Sequence, residues 1–495
     1  MRLPGRLFGW AVFAATLLVL LTWVIGMPRF VSPDEPAHWY KAYATAHGQS
    51  VGVPVEGLPS NIRQYDVPAE MGIPNLGCFF FQPDVPAGCA IGAIEAGISS
   101  AAVYPPPWYG VVGGGARLVG QADSLRVNRA AGAVTCAALI GLAFAVARRA
   151  PSGRLTPLLL LAATPMTLFL AASVNPNGFE VAGFVLLWSL CLHIASDAAP
   201  SRRSGAIVGL VVAMLLLSRF ASVIWVAFGA FVLVLLLGIT GVRRFLTRDF
   251  LVPALGISGA ASLLVVAWSR YAGVQTDDAR LALDVGPREA ARLSWERLPD
   301  FAEQMIGLLG WLDTEIPWYA HALYALFTLI TVAGIVWSRD RRLIVAGIAV
   351  AAGLVVVPIA INVASAATAG LVWQGRYSLP LYAMLALVGM IGWQRVFERR
   401  PDERLLTVVR SMAVACFAVA EVAAFWQAMR RFTVGASGKI WLDEPLAWSP
   451  SVAPMILIAI NALLVVALVA VVLTGTASSS DHRATTPGVM TSPAE

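Results

Sequence analysis

The stretch "LFGWAVFAATLLVLLTWVIGMPRFVSPDEPAHW", Leu7 to Trp39, joins a long apolar run to an acidic pair set between two prolines. The run, Leu7 to Met27, has the roughly 20 residues needed to cross a hydrocarbon core about 30 Å thick. It follows two arginines, as the core of a signal peptide does. It is long, however, carries Trp10 and Trp23, and lacks a small-x-small cleavage site. We read it as a retained membrane anchor, and the polar stretch after it as the first segment outside the bilayer.

Runs of the same kind recur to the end of the chain, near residues 126–147, 155–173, 178–196, 205–217, 221–239, 250–270, 318–337, 343–362, 379–397, 405–428 and 453–474. The expected fold is therefore an all-α polytopic membrane protein of about 12 spans (11–13), with residues 1–474 as a single transmembrane domain. Hydrophobic residues make up 58% of the chain and charged ones 13%, which leaves no room for a separate soluble domain. The net charge of +6 does not point to nucleic acid. The arginines lie in short clusters between apolar runs, "RRAPSGR" (148–154), "SRRS" (201–204), "RRFLTRD" (243–249), "SRDRR" (338–342) and "ERRPDER" (398–404), and not along one polar face. Twelve spans put every one of these loops on one side, which the positive-inside bias makes the cytoplasmic one.

Two long outer loops remain, 28–125 and 271–317, and a Ser/Thr-rich tail, 475–495, is expected to be disordered. The segment "YPPPWYGVVGGGARLVG", Tyr104 to Gly120, would invert all later basic loops if it crossed, so it is placed as an interfacial or re-entrant helix on the outer side. Cys78 and Cys89 are spaced too widely for a C-x-x-C pair and suit a disulfide in an oxidising compartment; two free thiols are the alternative.

In "VSPDEPAHW" a helix start explains much: Ser32 as N-cap, Pro33 at the first position, Glu35 completing a capping box. It does not explain Pro36, nor His38 four residues after Asp34 and Lys41 one turn on, which a helix would bring to one face. In "SVNPNGFE" (173–180), Asn175, Asn177 and Glu180 make either a tight helix connection or the polar wall of an outer cavity. Arg376 in "WQGRYSLP" (373–380), with Gln374 and Tyr377 beside it, and Arg219 in "LLLSRFAS" sit at outer helix ends, against the charge bias. They either snorkel to head groups or bind a phosphate or carboxylate. Asp313 and Glu315 could hold a divalent cation, although two carboxylates are too few to define a site, and five histidines across the chain assemble no zinc pattern. Phosphate-binding loop, serine-hydrolase and dinucleotide motifs are missing, which argues against a nucleotide-driven pump or a serine hydrolase.

"SPDEPAH", "YPPPWY", "ATPMTLFLAASVNPNG", "GWLDTEIP" and "QGRYSLPL", in that order from about Phe8 to Phe397, resemble a bacterial family of polytopic membrane proteins catalogued as domain of unknown function 2142, which is grouped with the GT-C membrane glycosyltransferases. The resemblance implies sugar transfer from a polyprenyl-phosphate-linked donor to a cell-envelope acceptor at the outer face of the cytoplasmic membrane. It places Asp34 and Glu35 where such enzymes carry catalytic acid. Asp34 would be the general base, Glu35 its partner or a metal ligand, and His38 an orienting residue. Arg376 and Arg219 would bind the donor phosphate, with Asn175, Asn177, Glu180, Gln374, Tyr377 and Tyr104 lining the substrate; many relatives carry His or Lys where this chain has Tyr104. No cofactor is implied beyond a possible divalent cation. A transporter or flippase of lipid-linked sugars and a non-catalytic assembly protein are the competing classes, but a transporter should carry charges deep within several helices, whereas here they gather at outer ends.

Overall fold

A computed structural model describes residues 5–92, 96–196, 200–273, 281–443 and 445–475. From residue 476 on, the expected tail lies outside them. Sixteen α-helices are described: α1 (Gly5–Gly26), α2 (Glu35–Ala46), α3 (Pro106–Gly114), α4 (Gln121–Ala147), α5 (Pro165–Ala171), α6 (Pro176–Ser196), α7 (Arg202–Leu216) and α8 (Ser222–Val242), followed by α9 (Arg248–Ala272), α10 (Pro287–Glu296), α11 (Leu298–Ile306), α12 (Trp318–Trp337), α13 (Arg341–Ala369), α14 (Leu379–Arg399), α15 (Glu403–Val434) and α16 (Pro454–Thr474). One hydrophobic core runs from Phe8 in α1 to Val472 in α16.

Among the described residues ten helices are long and apolar enough to cross a membrane, or eleven if a bent pair is counted as one span. The twelve expected runs are all helical, but two fall short of a straight span for local reasons. Residues 153–162 form a 3₁₀ segment containing Pro157, which turns by 77° into α5, where Thr164 caps by accepting from the Thr167 amide. The other, α7, has only 15 residues. At the crossing of α12 and α14 small residues let backbones touch: a Cβ on Gly392 would lie 2.6 Å from the Gly334 backbone.

The basic loops meet at one end. Arg148 lies over the Phe8 ring, Arg154 pairs with Glu403, and Arg342 donates to the Leu237 carbonyl. At the opposite end the first long loop is bound to the bundle: Trp268 Nε1 donates to the Val103 carbonyl and Arg63 to that of Ala272. Within this loop β1 (Val53–Pro54), β2 (Arg63–Gln64) and β3 (Ile98–Ser99) form a small antiparallel sheet. A second pair, β4 (Leu308–Leu309) and β5 (Thr314–Glu315), closes the second loop. Nine-residue α3 is too short to cross and packs on α2, with Gly113 against the Ala42 backbone.

Cys78 and Cys89 are disulfide-bonded across a separation of 11 residues. Closing a loop of that length constrains the unfolded chain by about 3 kcal/mol. The double substitution Cys78→Ser/Cys89→Ser is therefore expected to lower the melting temperature of the detergent-solubilised protein, and added reductant should shift the parent protein but not the variant.

Candidate functional site

Between α1 and α2 the backbone turns left-handed at Phe30 and again at Asp34, eight residues beyond α1, and the second of these decides the site. Asp34 is the N-cap of α2 with φ 61°, in the left-handed region, and its side chain makes no capping hydrogen bond. Asp is one of the few L residues that tolerates this conformation. Pro36 falls in the first turn of α2, where a missing N–H costs little. The expected capping box does not form. Ser32 Oγ instead lies 3.0 Å from Ser173 Oγ, because a tertiary partner outcompetes the local cap. Spared from capping, the Asp34 carboxylate accepts from Arg376 Nη2 at 2.6 Å and keeps 43% of its side-chain surface open.

The neighbouring acid has a different part. Glu35 is fully buried, and Arg129 grips it through Nε–Oε1 at 2.8 Å and Nη2–Oε2 at 2.6 Å. The same guanidinium donates to the carbonyls of Met27 and Pro28, and the Val174 amide donates to Glu35 Oε1. Both Glu35 oxygens are occupied by these bonds, so in this arrangement the residue braces the segment that carries Asp34. Asn175 belongs to the same brace. Its Nδ2 donates to the Pro33 carbonyl at 2.9 Å while its Oδ1 accepts the Asn177 amide, so this turn positions Asp34 from behind. Asn177 is buried, and its Oδ1 has no partner in the structure.

Around Asp34 the remaining candidates converge. Arg376, with 1% of its side chain exposed, starts the turn into α14; its Nη2 also reaches the Tyr377 hydroxyl at 3.3 Å, while Nε and Nη1 are buried without a partner. The Tyr377 ring lies under two guanidiniums, 4.5 Å from Arg219 Cζ and 5.1 Å from Arg376 Cζ. Arg219 donates to Glu180 Oε2 at 2.9 Å, and Ser222 Oγ holds the other Glu180 oxygen at 2.7 Å. Tyr104 stacks on Phe220 and meets His38 edge-on at 5.8 Å. His38 Nδ1 lies 2.7 Å from the Tyr109 hydroxyl. Gln374, just before the Arg376 turn, has a buried Oε1 without a partner.

Lys41 does not join them. It is buried toward the Ser50 and Ala102 carbonyls and over the Trp268 ring, and it borders the cluster through the Tyr109 ring, 5.9 Å from its Nζ, without bonding to Asp34 or His38. Asp313 is likewise committed, accepting from the Phe81 amide at 2.9 Å and from Arg431 at 3.4 Å, and among the described residues no three His, Cys, Asp or Glu come together to hold a metal. Sequence reasoning missed Arg129 and Tyr109.

Charge within the cluster balances, Asp34 and Glu180 against Arg219 and Arg376. Desolvation pushes the Asp34 carboxyl up, but Arg376, His38 and Arg219 together hold it below its ordinary value. Burial drives His38 down to about 3; Asp34 works against this, and Arg376 and Arg219 add to it. His38 is therefore a neutral imidazole at pH 7. Because its folded value lies below the unfolded 6.5, the unfolded chain binds the extra proton first. The melting temperature is thus expected to fall as pH drops from about 6.5 toward about 3, and His38→Gln should remove part of that slope in a pH series of thermal melts.

Residues 17–385 match the family described as "Predicted membrane protein (DUF2142)". The chain is similar in structure to ArnT from Cupriavidus metallidurans in the apo state, with TM-score 0.50 and 15% identity over 94% of this chain and 76% of that one. Against the same protein bound to undecaprenyl phosphate the TM-score is 0.47, again at 15% identity, over 94% and 77% of the two chains. At this identity the likeness to the apo structure shows a shared fold. No curated protein matches the chain.

Proposed function

The chain belongs to the DUF2142 family of predicted membrane proteins, and from the site it carries we propose that it is a membrane glycosyltransferase, moving a sugar from a polyprenyl-phosphate-linked donor to a cell-envelope acceptor at the extracytoplasmic face of the cytoplasmic membrane. One observation carries the reading: a half-open carboxylate held by a buried arginine that keeps two N–H positions unspent. A buried guanidinium with unmet donors is matched to a second anion, and its planar fork fits the oxygens of a phosphate as it fits those of a carboxylate.

In this reading Arg376 Nε and Nη1 take oxygens of the donor phosphate, with Arg219 adding positive charge across the Tyr377 ring. An acceptor hydroxyl oxygen attacks the anomeric carbon, and the bond from that carbon to the phosphate oxygen breaks. Its electron pair leaves with the lipid phosphate, and the hydroxyl proton goes to Asp34. Before the donor arrives, Asp34 is a poor base, because Arg376 holds its pKa down. A bound phosphate competes for Arg376 and sets a like charge beside the carboxylate. Both effects raise the proton affinity of Asp34 toward the range a general base needs. His38, neutral and tied to Tyr109, positions the face of α2 that carries this acid. The Cys78–Cys89 disulfide in the same long loop supports an oxidising, extracytoplasmic setting.

The test uses the full chain in proteoliposomes with a radiolabelled polyprenyl-phospho-sugar and an envelope extract as acceptor. Transfer releases free lipid phosphate and moves label to the acceptor. Movement of intact donor between leaflets without release would establish a lipid-linked sugar transporter in its place.

A further inference from the structure

Apart from the Asp34 cluster, a cavity of about 620 Å³ opens at the same end of the bundle, between the tip of the first loop, the β4–β5 hairpin, the start of α12 and the end of α15. Its volume lies within the range of small-molecule sites. Its walls are fixed by interactions the catalytic cluster does not use. Arg431, fully buried, donates to the Val85 carbonyl at 2.6 Å and the Phe79 carbonyl at 2.7 Å. The Ser437 amide donates to Asp84 Oδ1 at 2.9 Å, and the Ala436 amide to the Pro83 carbonyl at 2.8 Å. Asp313 is taken up by Arg431 and the Phe81 amide. What faces the open space is a set of aromatic rings, Trp318, Tyr319 and Trp426, beside the planar polar groups of Glu315, Gln427 and Arg430. Arg430 lies over the Trp426 ring and is aimed by its bonds to the Gly438 carbonyl.

That combination selects among ligand classes. A hard cation needs several free oxygens, and two of the three carboxylates here are already bonded. An anion would meet Asp84, Asp313 and Glu315 against Arg430 and the already committed Arg431. A pyranose presents an apolar C–H face that packs on aromatic rings, and a rim of hydroxyls, each both donor and acceptor, which planar carboxylate, amide and guanidinium groups bind in pairs. Trp311, which leads into the hairpin wall, donates Nε1 to the Phe30 carbonyl at 3.0 Å, four residues before Asp34. The cavity wall and the Asp34 segment are thus braced to each other.

We propose that this outer cavity binds a neutral or cationic saccharide and is the subsite that seats the acceptor glycan; the second half of that statement rests on the glycosyltransferase reading. The test titrates the full chain in nanodiscs with linear tri- and tetrasaccharides of glucose, mannose, galactose and arabinose, reading intrinsic tryptophan fluorescence and heat. Saturable binding of at least one of them is expected. Tyr319→Ala and Glu315→Gln, both at exposed positions, should each weaken it about tenfold, the size of a lost charge-assisted hydrogen bond or ring contact, with unchanged melting temperature. In the transfer assay Glu315→Gln should raise KM for the acceptor about as much while leaving KM for the donor alone. Absence of saturable binding across the panel, or wild-type affinity in both variants, overturns the proposal. Saturable binding in a protein that transfers no sugar keeps the cavity and removes the glycosyltransferase reading. Transfer with an unchanged acceptor KM in Glu315→Gln does the reverse.

Discussion

Replacing Asp34 by Asn is expected to lower kcat for sugar transfer by roughly 10² to 10⁴, the usual contribution of a positioned general base, while tightening the binding of polyprenyl phosphate. The two effects have one cause. Asn is among the residues that tolerate the left-handed backbone of this position, so the start of α2 is retained. A neutral amide cannot take the acceptor's proton. Nor does it neutralise Arg376, which among the described residues is ion-paired with the Asp34 carboxylate. Freed of that partner, the guanidinium offers its full charge to the lipid phosphate. A variant that merely misfolds would lose binding and rate together. Rate measured in single turnover, and donor affinity measured with unreactive polyprenyl phosphate, separate the cases. Wild-type kcat in a folded Asp34→Asn protein would remove Asp34 as the base.

Arg129→Met should cost stability on the order of 3–5 kcal/mol, because among the described residues it leaves the fully buried Glu35 carboxylate with the Val174 amide alone. It also strips the Met27 and Pro28 carbonyls of their donor, at the point where α1 gives way to the outer segment. Thermal unfolding of the detergent-solubilised protein reads the loss. The double variant Glu35→Leu/Arg129→Met should recover part of it, since removing both charges leaves none uncompensated. A double variant less stable than Arg129→Met would show that Glu35 is held by something other than this pair. Sugar transfer should fall in the single variant as well, through displacement of the Asp34 segment rather than through the chemistry of Glu35.

The contrast between these adjacent acids marks how far sequence reasoning reaches. Among the described residues, apolar run length located every helix long and apolar enough to cross, because burial of a hydrophobic stretch in lipid depends largely on composition and length. It overestimated the straight spans where Pro157 and Thr164 bend the chain and where α7 stops at 15 residues. Arginines at outward helix ends drew notice to Arg376 and Arg219, and both sit in the cluster with Asp34. Arg129, near the outer start of the second run, carried the same signal and was passed over. The division of labour between Asp34 and Glu35 was not legible, since it depends on partners 342 and 94 residues away. Local rules favoured a Ser32 cap, which Ser173, 141 residues distant, pre-empts. Tyr109, the partner of His38, has no periodic or spacing signature at all.

The left-handed turn at Asp34 has a consequence for what evolution or a mutational library can put there. Two filters act on the position without reference to each other. The backbone, at φ 61°, admits Gly, Asn and Asp at little cost and penalises the rest. The buried Arg376 admits an anion and penalises neutral side chains. Glu satisfies the second filter and fails the first; Gly and Asn satisfy the first and fail the second. The backbone alone would recover three residue types at this site, and the backbone together with a charged partner for Arg376 leaves one.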